Sequence, residues 1–290
     1  MHWMGWTGWG IGMLVVAGFG LAAFGNSRWQ ASTQTQMALL AAARAPTPAG
    51  LHNVYTAREI DGLPAPVQRY FRAVLKDGQP FIAAATFELA GTFNMSTTGG
   101  ENWKPFTSTQ QAVRHRPGFL WNGRVAMLPR LAAHVHDRYI AGVGRLHAAM
   151  LGLFTVAHVQ GGDEAACGEL MRYFAGTVWY PTALLPSQGV RWLAVDDHSA
   201  KATLVDGTTT LTLLFRFDKA GLITSAHADA RGAWVGKDTV MLPWEVSASN
   251  YQWRDGMLVP TRGEAAWMQP EGRRPYFIGN LTSLVYEFAP

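Results

Sequence analysis

The sequence predicts an α+β protein: an N-terminal transmembrane helix, then a large curved antiparallel sheet (a meander) with a few helices on its concave face. Three observations carry that expectation. No residue from Trp3 to Gly25 is charged. From Phe81 to the C-terminus, runs with a two-residue apolar period alternate with turn-forming residues, the signature of strands. One strongly helical stretch interrupts that series, Asp163 to Pro186, DEAACGELMRYFAGTVWYPTALLP.

Trp3–Gly25 is 23 residues long, enough to cross a hydrocarbon core of roughly 30 Å. Trp3, Trp6 and Trp9 cluster at one end, as interfacial aromatics do. A cleaved signal peptide is the competing reading, with Ala23-Phe24-Gly25 as its small-residue site, but the charged n-region is missing. The expected organisation is an anchor over 1–28, a helical linker over 29–62 and one antiparallel domain over 63–290. In the linker, an Ala-, Gln- and Leu-rich segment from Trp29 to Arg44 reads as helix, and Pro46 and Pro48 end it. Leu63-Pro64-Ala65-Pro66 opens a second helix with Val67, Tyr70, Phe71 and Val74 on one face.

Strand-like runs follow at Phe81–Phe93, Phe106–Arg116, Gly118–Arg124, Ala133–Ala141 and Leu153–Gln160. Gly142–Gly152, GVGRLHAAMLG, fits a helix or a buried strand equally well. In the central stretch, Asp163 and Glu164 suit a helix N-terminus, and Leu170, Tyr173 and Phe174 form one apolar stripe. Glu169 and Arg172 are i, i+3 neighbours and are expected to pair. Gly176 can stop the helix, and Trp179-Tyr180-Pro181 then makes an aromatic corner. Behind it lie Val190–Val195, Lys201–Val205, Thr208–Phe217, Gly221–Arg231, Val240–Trp253, Met257–Met268 and Tyr276–Phe288. Asp206-Gly207 and Asp255-Gly256 are the strongest hairpin signals.

Composition narrows the function. At 290 residues and 48 % hydrophobic the chain can bury a large core. Charged residues are only 15 % while Trp reaches 12 copies, a mixture suited to lipid or an apolar small molecule as partner. The net charge of +4 is dispersed, so no nucleic-acid footprint exists. The single Cys167 excludes an intrachain disulfide and a Cys-based zinc cluster. There is no P-loop, G-x-S-x-G, S-x-x-K or HExxH, and no cofactor is expected. His134-Val135-His136-Asp137 places two imidazoles on one strand face, but the other histidines are scattered and no metal is expected. Asp196-Asp197-His198 reads as turn chemistry.

Three readings of function follow. In the first, the protein is a membrane-anchored binder of lipid or another apolar ligand, with Glu169, Arg172, Tyr173, Trp179, Tyr180, Trp192 and Trp244 lining the cavity of the curved sheet. In the second it is a hydrolase acting on a membrane-derived substrate, with Glu169 as general acid/base, Arg172 as anion clamp and Tyr173 or Asp196 assisting. The third is a structural or interaction module without a small-molecule ligand. RYFAGTVWYPTALLP, followed by Trp192 and Asp196 in a W-x-x-x-D spacing, resembles a family of bacterial membrane-anchored proteins catalogued as a domain of unknown function. LPAPVQRYFRAVL and LFRFDKAGLI look like its other recurring stretches, so the resemblance spans 63–290. It implies no activity. The inferred shape is also similar to the bacterial lipoprotein-carrier fold, which binds acyl chains. That similarity favours an extracytoplasmic body, whereas the sparse positive charge at Arg28 and Arg44 favours a cytoplasmic one.

Overall fold

The computed structural model describes residues 3–44, 53–96, 100–129, 131–235 and 238–289, with the backbone alone for 3–17, 234, 235 and 238. Helix α1 (Trp3–Ala42) precedes α2 (Ala65–Val74). Six strands follow: β1 (Ile82–Asn94), β2 (Trp103–Val113), β3 (Gly118–Leu128), β4 (Leu131–Ile140), β5 (Val143–Met150) and β6 (Phe154–Gln160). Helix α3 (Asp163–Ala175) continues into short 3-10 turns at Gly176–Trp179, Pro181–Leu184 and Pro186–Gln188. The remaining strands are β7 (Arg191–Asp196), β8 (Ser199–Asp206), β9 (Thr209–Phe217), β10 (Ile223–Val235), β11 (Asp238–Arg254), β12 (Met257–Gln269) and β13 (Gly272–Phe288).

All the described strands form one curved, open sheet in the order β6-β5-β4-β3-β2-β1-β13-β12-β11-β10-β9-β8-β7. Each half is a meander of sequence neighbours. The halves meet where the first strand pairs antiparallel with the last, from Ile82 opposite Phe288 to Phe93 opposite Phe277. Local chemistry explains the meanders. In β9, Leu211, Leu213, Phe215 and Phe217 are buried, while Thr210, Thr212 and Arg216 face solvent. The hairpin glycines at Asp206-Gly207 and Asp255-Gly256 have φ of +57° and +80°, with Asp255 itself at +46°. The ambiguous 142–152 stretch is strand β5. Ala141 and Gly142 both adopt positive φ, 53° and 84°, which makes a tight turn back along β4.

Helices α2 and α3 and the 3-10 turns fill the inner face, where Tyr70, Phe71, Leu170, Phe174 and Leu184 join one continuous core. The expectation of helices on the concave face alone needs correcting. The second half of α1 packs on the outer face, where Leu40 sits with Ala84, Val113, Leu120 and Ile140. Trp29, on the same helix, is 4 % exposed and donates from its indole N–H to Asn122 Oδ1 at 2.9 Å. The 29–62 stretch therefore contributes to the packed body, and Tyr55 and Ile60 enter the inner core directly. Among the described residues no helix is long and apolar enough to cross a membrane. The expected span Trp3–Gly25 falls mostly on 3–17, whose side chains lie outside the described residues.

Gly25 fixes where α1 docks. A Cβ there would overlap the carbonyl oxygen of Leu151 and come within 2.9 Å of Leu153 Cγ. The approach is reciprocal, since a Cβ on Gly152 would lie 2.6 Å from the Gly25 carbonyl oxygen. Any side chain at 25 must push the helix off the β5–β6 turn. Gly25→Val is expected to undock residues 25–42 and release the burial of Trp29 and Leu40, a loss on the order of 3 kcal/mol. Limited trypsinolysis reads this as faster cleavage at Arg28; an unchanged rate would show that α1 docks without needing a glycine there.

Candidate functional site: an inner-face trough above two buried ion pairs

Helix α3 forms where the sequence places it, and its Leu170–Tyr173–Phe174 stripe faces the core. Gly176 ends it, and the chain turns through the aromatic corner. Trp179 is 7 % exposed, with its ring against Phe87 (centroids 5.2 Å apart) and over Gly263, where a Cβ would be 2.9 Å away. Its indole N–H donates to Pro260 O at 3.0 Å, and its own carbonyl accepts from the Tyr286 hydroxyl at 2.6 Å. Tyr173 donates to Val113 O and Tyr180 to Tyr173 O. Trp192 donates to Leu184 O and packs on Phe215, while Trp244 donates to the Tyr276 hydroxyl. In each of these aromatics the polar tip is satisfied inside the protein. Tyr173, Trp179, Tyr180 and Trp244 are buried, and Trp192 is half-buried.

Glu169 and Arg172 do not pair with each other. Each instead takes a partner from a different half of the sheet. Arg172 pairs with Asp137 on β4, and its guanidinium stands 5.0 Å from the Phe119 ring and 5.2 Å from the Trp121 ring. Glu169 pairs with Arg231 on β10 at 3.5 Å. Arg231 lies between the rings of Trp244 (4.6 Å) and Trp267 (5.6 Å) and donates from Nε to Gly168 O at 3.1 Å. Burial pushes the Glu169 carboxyl up to about 7 against the opposing pull of Arg231, and pushes the Arg172 guanidinium down to about 10.

Sequence reasoning missed Arg231 altogether and gave Asp137 the wrong company. Strand alternation puts His134 and His136 on the outer face and Asp137 on the inner one, so the three cannot act on one ion. Among the described residues no group of three or more His, Cys, Asp or Glu side chains is arranged to hold a metal. Asp196 is fully exposed in the β7–β8 turn, where Oδ1 accepts the His198 N–H at 2.8 Å. That bond, with others from Ser199, holds its carboxyl below the usual range, as turn chemistry requires.

Beyond the end of α3, half-buried apolar side chains continue across the inner face. Register carries the row from strand to strand: Phe93 opposite Phe277, Gly91 opposite Phe106, Phe106 opposite Val125, Val125 opposite Ala133, Ala133 opposite Met150. Phe93, Met127, Val135, Met150, Met171 and Tyr276 are all partly exposed there. Two rings lie flat along the floor because glycine leaves room for them. The Trp121 ring covers Gly123, and the Phe277 ring covers Gly279, where a Cβ would be 2.9 Å from it. The row meets polarity at its α3 side. Trp121 Nε1, Ser108 Oγ, Asp137 Oδ1 and Glu169 Oε2 are buried there without hydrogen-bond partners. The result is a shallow apolar trough along the curved inner face, a half-exposed row that includes three methionines and is bordered by buried polar atoms no protein group satisfies.

Comparison with known proteins places the chain at the level of family. Residues 61–286 match the model of DUF6920, a family of unknown function, and the chain belongs to that family. No curated protein matches it. Among solved structures, a LolA superfamily protein from Nitrosomonas europaea is similar at 11 % identity and a TM-score of 0.41, over 81 % of this chain and 96 % of that one. A beta-barrel-like protein of the domain of unknown function DUF1849 from Brucella abortus is similar at 10 % identity and a TM-score of 0.22, over 71 % and 99 %. Likeness at this level brings no ligand or activity to this chain.

The buried carboxyl has a pH consequence. An acid whose pKa is raised on folding holds its proton more tightly in the folded protein than in the unfolded chain. The stability Glu169 contributes is therefore full below about pH 4.5 and is lost as pH rises to about 7. The loss is roughly 2–3 kcal/mol across that window. Glu169→Gln is expected to flatten this part of the profile, measured as melting temperature against pH. A variant with the parent's slope between these values would show that Glu169 is already ionised when buried.

Proposed function

We propose that this DUF6920 member binds an amphiphile on its inner face. The apolar part lies along the Phe93–Met150 row and the polar end meets Trp121 Nε1, Ser108 and the Arg172–Asp137 pair. The observation that supports this is the coincidence of the two features. A half-exposed apolar row is costly to leave against water, and buried polar atoms are costly to leave unpaired. An amphiphile relieves both at once. Arg172, its charge balanced by Asp137 and its plane set by Phe119 and Trp121, can present an N–H to a polar end without creating an isolated buried charge. Trp3–Gly25 is proposed to hold the body at a membrane, where such ligands are found. The support is its uncharged length and its helical backbone, continuous with the docked part of α1.

The test uses the full chain, recovered from membranes in polymer discs and titrated with a fluorescent fatty acid and a fluorescent lysophospholipid. Wild type should bind at least one of them. Met127→Glu should weaken that binding by about tenfold or more, since it sets a charge in the apolar floor. Its melting temperature should stay near the parent's, because Met127 is only half-buried. Equal binding by the variant would remove the trough from consideration. In the same preparation, a chain that washes off membranes in alkaline carbonate would overturn the anchor.

A hydrolytic reading keeps one specific support, a Glu169 carboxyl pushed up to about 7, the range suited to general acid–base catalysis. It requires turnover of a bound ester that disappears in Glu169→Gln while binding persists.

A further inference from the structure

The outer face carries an arrangement the trough does not involve. Helix α1 crosses it over β3–β5, with the Trp29 ring stacked on His136 at 4.0 Å and His134 and His147 each at 5.4 Å. Thr33 donates its hydroxyl hydrogen to Trp29 O at 2.9 Å, so at 2.8 Å it must accept the N–H of His136 Nε2. That places a proton on His136 Nε2. Burial, with help from nearby cations, pushes its pKa down to about 4.

Below this stack lies a cavity of about 120 Å³ lined by Ser32, Gln36, His136, Arg138, Arg145 and His147. Arg138 and Arg145 are direct cross-strand partners, like charges where sheets ordinarily place opposite ones. Neither makes a salt bridge among the described residues, and the Nε of each is buried without a partner, as is Gln36 Oε1. No carboxylate lines the cavity. The groups bearing on His136 are His147, Arg138, His134 and Arg145, and those on His147 are His158, Arg145 and Arg28; the arginines among them are cations and none is a carboxylate.

We propose that this cavity is a binding site for a phosphate-type oxyanion. Two guanidinium groups facing each other with free N–H donors suit a tetrahedral anion and repel a metal ion. Ser32 adds a hydroxyl, and Gln36, with its amide turned over, adds an NH₂. The anion converts a like-charge contact into a bridged one, which gives the opposed arginines a physical reason to be there. Two sources offer this chemistry, free phosphate and the headgroup of an anionic phospholipid. The second rests on the membrane reading: Ser32 is seven residues beyond Gly25, roughly 10 Å along the helix, within headgroup reach of an anchored α1.

The experiment melts the full chain in potassium phosphate and in potassium chloride at equal ionic strength. It repeats the comparison with vesicles of phosphatidylglycerol in phosphatidylcholine and of phosphatidylcholine alone. Phosphate at ten times its Kd should raise the wild-type Tm by about 2–3 °C over chloride. Arg138→Gln and Arg145→Gln should lose that rise, yet melt in chloride no lower than wild type, because a repulsion has been removed. Arg124→Gln, the same charge change outside the lining, should keep it. Should either variant fail to fold, phosphate-dependent shifts of the His147 ring resonances in wild type supply the readout. A response to free phosphate identifies the ion itself as ligand. A response confined to phosphatidylglycerol, and lost in the arginine variants, identifies the headgroup. Equal melting in all four conditions, or arginine variants that respond like wild type, overturns the site.

Discussion

The pairing of the first strand with the last is the constraint on which this structure depends. Each meander forms from sequence neighbours, but only the β1–β13 register makes them one sheet. That contact is among the most distant in the sequence, so its loop-closure entropy is unreturned until nearly the whole chain is in place. Helix α3 reinforces the join from inside. It grips β4 of one half through Arg172–Asp137 and β10 of the other through Glu169–Arg231. Tyr173 reaches back to β2 and Trp179 reaches forward to β12. The two ion pairs sit in low dielectric, where removing one partner costs far more than the pair contributes. They hold the halves in one relative position rather than adding much net stability.

Much of the fold was legible because its causes are local. The alternation in β9, the Asp-Gly hairpins and the apolar stripe of α3 depend on residues a few positions apart, and each appears where it was expected. What could not be read depends on partners far away. Glu169 and Arg172 look like a pair on any helical net, yet Arg231 and Asp137, supplied by opposite halves, outcompete a neighbour worth only a few tenths of a kcal/mol. Strand β5 was ambiguous because an apolar run of that length fits either periodicity, and a turn with Ala141 at φ 53° is not announced by Ala-Gly. The large aromatics around the corner were expected to line a cavity. Whether each polar tip would find an internal acceptor depended on carbonyls presented by other strands.

The sheet treats charge in two ways. On the inner face Arg172 has Asp137 and Arg231 has Glu169, while Arg114 lies against the Phe81 ring. On the outer face, beneath α1, Arg138 and Arg145 are set opposite each other among histidines with no carboxylate in the lining. A single chain that neutralises one set of charges and leaves the other open does not follow one packing rule throughout. Glycine has a similarly double use. Gly123 and Gly279 give up their side-chain space to neighbouring rings on the inner face, whereas Gly25 and Gly152 let two backbones touch on the outer one.

Helix α1 runs unbroken from Trp3 to Ala42, and its second half is pinned to the outer face by the Gly25 contact, the Trp29 stack and Leu40. There is no joint between its first turns and the sheet. At about 1.5 Å per residue it is a rod of roughly 60 Å, more than half of it ahead of the first pinned residue, Gly25. Whatever restrains that leading end sets the azimuth of the whole body, because the rod cannot swivel without breaking its own hydrogen bonds or leaving its seat. Torque applied at the N-terminus is therefore delivered to β3–β5, the strands whose other side forms part of the trough floor.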